Sequence, residues 1–169
     1  MSKYFEKIDL DLSDLDLCSL NSNIELHRPN NLNFVYKKII DQNLYQEIKS
    51  RIPNKYQNFL LDIFYCVVES PFFVFPHIDK RSTTVINYYH QPGNSITKFY
   101  EPIVSNPRKY SIKNNSIEYS FDLKDIQVVD SFSANAHDCY ILNVSKIHSV
   151  DLTGEIDRHF INISLSEKL

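Results

Sequence analysis

The sequence has little glycine, little cysteine and no tryptophan. Two Gly and no Trp occur in 169 residues. The background is rich in Asn, Ile, Lys and Tyr, a bias that suggests an AT-rich coding genome, bacterial or phage. The three cysteines, Cys18, Cys66 and Cys139, lie far apart. They form neither a metal-binding doublet nor an even disulfide set, so a reduced, cytoplasmic setting is the expectation. No apolar run approaches a transmembrane helix, so no membrane partner is expected. The opening MSKYFEKIDLDL lacks the apolar core of a signal peptide. A basic stripe is missing too. The formal net charge is -3, spread along the chain, which argues against nucleic acid, whose phosphates need basic contacts. No repeat or low-complexity linker marks a domain boundary. The length and the 43% hydrophobic content suit one domain, with 1–65 as a helical and strand support and 66–169 as a β-core.

What is present reads as mainly β (α+β). Ile8, Leu10 and Leu12 alternate with Asp9 and Asp11, the period of a strand capping a sheet edge. His27, beside Arg28-Pro29, reads as a surface histidine. Asp41 can cap a helix running to about Arg51, with Leu44, Ile48 and Ile52 as its apolar stripe. Pro53 ends it. Residues 54–64 read as a second short helix with Phe59, Leu60 and Ile63 buried, and 63–69 as helix or strand. From Phe72 onward short strands are expected near 72–78, 82–90, 96–101, 109–121 (a hairpin around Asn114-Asn115), 126–132, 139–144 and 156–165, separated by turn signals. Seven or so short strands without intervening helices argue for a sandwich or jelly roll.

Within Pro71 to Tyr89, an apolar run (Phe72 to Phe75) leads into His77-Ile78-Asp79. On an extended chain residues i and i+2 share a face, so an imidazole and a carboxylate point the same way. A second apolar stretch, Tyr140 to Val144, leads to His148, and Arg158 follows ten residues later, opening another strand-like segment. Two His and one carboxylate on one face of a metal are the ligand set of non-heme Fe(II) oxygenases.

The ordered set His77, Asp79, His148 and Arg158 resembles the signature of the Fe(II)/2-oxoglutarate-dependent dioxygenase superfamily. The flanking Arg81 to Tyr89, PGNSITKFY and DCYILNVSKIHSV resemble its prolyl-hydroxylase-like branch. The likeness extends over Phe72 to Leu165, about half the chain. It implies a double-stranded β-helix, a jelly roll with the N-terminal helices outside one sheet. It implies Fe(II) on His77, Asp79 and His148, with 2-oxoglutarate and O2 as cosubstrates. It further implies that Arg158 takes the distal carboxylate of 2-oxoglutarate through paired hydrogen bonds. Related halogenases replace the carboxylate ligand with a small residue. Asp79 is kept here, which favours oxygen insertion.

The chain departs from many relatives two residues after Arg158, where Phe160 replaces a Ser or Thr. Tyr88 is the candidate to supply the hydroxyl, with Thr84 on the same face. Asn87 or Tyr89 replaces Tyr88 if strand parity is off by one. His137 is the alternative third ligand. His90 also competes, and alternation points His159 away from the face of Arg158. Arg81, Asn143 and Tyr100 are candidates for the pocket mouth, Phe73, Phe75, Ile86 and Phe99 for its apolar lining, and Ser133 to Asp138 for a lid or a plain loop. The activity expected is hydroxylation of a protein side chain, an amino acid or a small metabolite, with release of succinate and CO2. The partner is thus a small-molecule or peptide substrate. The alternatives are a non-catalytic jelly-roll binding or structural module and a cupin-like metal enzyme without 2-oxoglutarate.

Overall fold

The computed structural model describes residues 2–17, 34–80, 82–111 and 117–166. His27, Arg81 and the Asn114-Asn115 turn lie outside them. Among the described residues there are twelve strands in two antiparallel six-stranded sheets. Sheet I has the order β1 (Phe5–Ile8), β10 (Cys139–Leu142), β5 (Thr84–Gln91), β12 (Arg158–Leu165), β3 (Leu60–Val68), β2 (Phe34–Lys38). Sheet II has the order β7 (Lys109–Ser111), β8 (Ile117–Phe121), β4 (Phe72–Asp79), β11 (His148–Thr153), β6 (Asn94–Pro102), β9 (Ile126–Phe132). The chain steps between the sheets from β3 to β4, β5 and β6, and again from β9 to β10, β11 and β12. This is a jelly roll.

Two helices lie between β2 and β3. Helix α1 (Gln42–Arg51) starts where Asp41 accepts a 2.8 Å hydrogen bond from the Leu44 amide, satisfying one of the free N–H groups of the first turn. Its buried Ile48, with Ile52 just beyond, packs onto the outer face of sheet I beside Ile63, Ile86, Ile161 and Ile163. Helix α2 (Asn54–Gln57) is a single turn. The expected longer helix gives way to β3 at Leu60, because Ile63 to Val68 is an aromatic and β-branched run paired on both sides, to β12 and β2.

Sheet I is therefore buried on both faces. On β5 all six residues Thr84 to Tyr89 are buried. Their alternation sorts them: Ile86 and Tyr88 join the outer core, Val85 and Tyr89 the inner one. The capping strand lies earlier than Ile8, Leu10 and Leu12 suggested. It is Phe5–Ile8 on the edge beside β10, and Leu10 and Leu12 continue as buried irregular chain. The division at 65/66 is likewise corrected, since it falls inside β3, and β1 and β2 belong to the same sheet. β2 and β11 were not anticipated as strands. No helix among the described residues is long and apolar enough to cross a membrane.

The outer core makes a simple comparison. Ile163 is fully buried there, while Ile103 is 54% exposed. Ile163→Ala should lower the unfolding free energy by about 2–5 kcal/mol, whereas Ile103→Ala should change it by less than about 0.5 kcal/mol. Urea unfolding followed by circular dichroism measures both.

Candidate metal site and anion clamp

β4 does not run straight into the site. Val74 lies opposite Val150 on β11, yet His77 lies opposite His148. Three steps on β4 therefore match two on β11, a β-bulge that inverts the strand's parity. Pro76 sits in the extra stretch, where the missing N–H costs no ladder bond. Before the bulge Phe72 and Val74 face the space between the sheets, and after it Phe75, His77 and Asp79 do. Without the extra residue the imidazole and carboxylate would point to the outer face.

The ligand atoms of His77, Asp79 and His148 lie within 4.8 Å of one another. Asp79 Oδ1 is 3.4 Å from His77 Nε2 and 3.9 Å from His148 Nε2. His77 Nδ1 is 2.7 Å from the Phe75 carbonyl oxygen and His148 Nδ1 is 2.9 Å from that of Lys146. A carbonyl only accepts, so both Nδ1 atoms carry the proton and both Nε2 lone pairs are free for a cation. Burial, with smaller contributions from nearby groups, lowers the pKa of His148 to about 4, which keeps that ring neutral and able to ligate around neutral pH. The Asp79 amide donates to Val144 O at 3.1 Å, fixing the loop after β10 against the end of β4. Two imidazoles and a carboxylate suit a divalent first-row ion.

Arg158 opens β12 on the facing sheet and lines the same cavity, of about 220 Å³. It is 2% exposed. Its guanidinium carbon sits 4.7 Å from the Tyr89 ring centroid and 5.0 Å from that of Phe160, a favourable place for a cation. One terminal nitrogen donates to the Tyr89 hydroxyl at 2.8 Å and the other reaches Thr97 Oγ1 at the 3.5 Å limit. Among the described residues Nε has no partner, and no acidic group pairs with Arg158. A buried cation left this way is costly unless a ligand supplies the counter-charge.

The structure brings His77, Asp79, His148 and Arg158 into one cavity. It does not bring Tyr88 or Thr84 there. Tyr88 belongs to the outer core and its hydroxyl meets His137 Nδ1 at 2.7 Å, with burial pushing its pKa up to about 12. Thr84 shares that strand face. The expectation for both is corrected by one residue of parity: Tyr89 is the hydroxyl on Arg158. His137, held by Tyr88 and by its own amide to Tyr89 O at 2.7 Å, does not line the cavity. His159 bonds Tyr65 on the outer face, as alternation predicts. Phe75 lines the cavity. Phe73 is exposed, Ile86 lies in the outer core, and Phe99 packs behind His148 with ring centroids 6.1 Å apart. Tyr100 and Asn143 are buried away from the mouth, Tyr100 on Ser149 and Asn143 on Ser145.

Sequence reasoning named Asn87 only as a stand-in for Tyr88 and passed over its partner Asn162. Asn162 Nδ2 donates to Asn87 Oδ1 at 2.8 Å, and Ser164 Oγ donates to Asn162 Oδ1 at 3.0 Å. Both asparagines line the cavity. The available signal was an Asn in the middle of each of two apolar strands, VINYY and HFINISL.

No family model and no curated protein matches the chain. Among solved structures, that of vicilin from Capsicum annuum aligns with 85% of this chain and 31% of that one, at 11% identity and a TM-score of 0.47. The X-ray structure of E. coli ycfD aligns with 79% of this chain and 34% of that one, at 9% identity and a TM-score of 0.50. The chain thus spans about a third of the length of these structures. At 9% identity the likeness to ycfD shows the fold alone.

His148→Ala should weaken binding of a divalent ion by more than about 100-fold, beyond the 10–100-fold typical of losing an outer partner of a ligand. His137→Ala should leave it unchanged. Absorption titration with Co(II) reads both.

Proposed function

We propose that the chain is an Fe(II)- and 2-oxoglutarate-dependent oxygenase of the prolyl-hydroxylase-like type. It hydroxylates a protein side chain, an amino acid or a small metabolite, and releases succinate and CO2. The observation that carries this reading is the buried Arg158, an uncompensated guanidinium in the same cavity as the His–Asp–His cluster. A jelly-roll metal enzyme without 2-oxoglutarate, or a plain binding module, has no need of a cation there.

His77, Asp79 and His148 would hold the iron through two Nε2 atoms and a carboxylate oxygen, leaving positions for cosubstrates. When bound, the iron activates O2 at the expense of oxidative decarboxylation of 2-oxoglutarate. Arg158 binds the distal carboxylate of that acid, and Tyr89 orients the guanidinium from one side. The apolar walls, among them Phe64, Phe75 and Val144, exclude water and strengthen the ion pair.

His77→Ala and Asp79→Ala should each abolish 2-oxoglutarate-dependent succinate release with Fe(II) present, and unchanged turnover would remove them as ligands. Arg158→Ala should weaken 2-oxoglutarate binding by about 10- to 100-fold, the ~1.5–3 kcal/mol of a charge-assisted contact. Iron affinity should be kept. Anaerobic calorimetry with Fe(II), with and without 2-oxoglutarate, makes the comparison; equal cosubstrate binding in the mutant rules out the clamp.

A further inference from the structure

We infer that Asn87 and Asn162 form a second recognition point in the cavity, for the carbonyl oxygen of an uncharged substrate group such as a carboxamide on an apolar body. This rests on the oxygenase reading and narrows its substrate class.

The first support is unspent donors. The two asparagines face each other across β5 and β12, and each amide carries two N–H groups. Asn162 spends one on Asn87 Oδ1. Asn87 Nδ2 reaches only the Tyr89 hydroxyl, at 3.5 Å. Among the described residues each amide therefore keeps an N–H without an acceptor. Asn87 is buried and Asn162 partly so, where an unmet donor is costly. A carbonyl oxygen placed between them accepts both.

The second is placement. The asparagines stand on the sheet I wall, and His77, Asp79 and His148 on the sheet II wall of the same cavity. A group held by the amides faces the metal cluster.

The third is charge. Among the described lining residues, the ionisable groups apart from the two His, the Tyr36 phenol and the shielded Cys66 thiol are Asp79 and Arg158. Iron takes the first and 2-oxoglutarate the second. A charged substrate group would enter a cavity walled by Phe64, Phe75, Leu142 and Val144 with no counter-ion. A free amino acid zwitterion does not suit such a site, and a neutral side chain or neutral metabolite does.

Three probes with one carbon skeleton test this: isovaleramide, isovalerate and isopentylamine. Binding is read by saturation-transfer NMR with Zn(II) in place of Fe(II) and saturating 2-oxoglutarate, so that Arg158 is occupied. Isovaleramide should bind at least about tenfold tighter than either charged probe. Asn162→Leu and Asn162→Asp should each lose about tenfold for the amide, with 2-oxoglutarate affinity by calorimetry within about twofold of wild type. Two variants of different polarity, each checked by thermal melting, separate lost recognition from lost folding. Equal binding of a charged probe, or unchanged amide binding in both variants, overturns the inference. A tenfold fall in 2-oxoglutarate affinity in these variants overturns it as well, because the amides would then serve the cosubstrate, and the oxygenase reading would stand. If wild type binds no 2-oxoglutarate, the oxygenase reading fails, and the ratio of amide affinities between wild type and Asn162→Leu with Zn(II) alone still decides this one.

Discussion

The site depends on a buried positive charge without a buried negative one to meet it. Arg158 is held by aromatic faces and a phenol, groups that orient a guanidinium but do not neutralise it. Folding such a group into an apolar cavity lowers stability unless something outside the chain completes it. The rest of the inner wall is arranged consistently with an anion there. The only described carboxylate in the cavity, Asp79, is directed at two imidazole nitrogens of its own sheet, opposite the sheet that carries Arg158. The two opposite charges are thus kept apart, each available to a ligand.

Keeping them apart is a task for strand parity. Sheet I carries Arg158 and Asn162 inward on one parity of β12, which pairs with β3 without a shift from Arg158 to Ser164, and Asn87 lies opposite Asn162 on β5, where the extra residue falls beyond it at His90. Sheet II carries His77 and Asp79 inward only because a bulge at Phe75-Pro76 adds a residue. Regular alternation therefore builds one wall and its interruption builds the other. The helices contribute at a distance. By burying Ile48 and Ile52 against the outer face of sheet I, they let both sides of β5 and β12 be dry.

The cluster of His77, Asp79 and His148 was legible in the chain because its chemistry is rare in combination. A His and an Asp two apart after an apolar run, with a distant His and a following Arg, is a pattern that survives an error in element boundaries. Tyr88 was misassigned for the opposite reason. Tyr88 and Tyr89 are chemically alike and adjacent, both strand faces are apolar, and nothing in the local text says which side is inner. The asparagine ladder was overlooked because its members lie 75 residues apart, and each alone looks like an ordinary polar interruption.

The sequence by itself determined that the chain is mainly β, that a helix begins after Asp41, and that an imidazole–carboxylate pair, a distal imidazole and a guanidinium are available. These follow from local period, capping chemistry and residue type. Only the tertiary structure decided which phenol meets Arg158, which amides share the cavity with the His–Asp–His cluster, and that β1, β2 and β3 share a sheet with the C-terminal strands. Those outcomes depend on register between distant strands, where one residue of slip exchanges every inward side chain for an outward one.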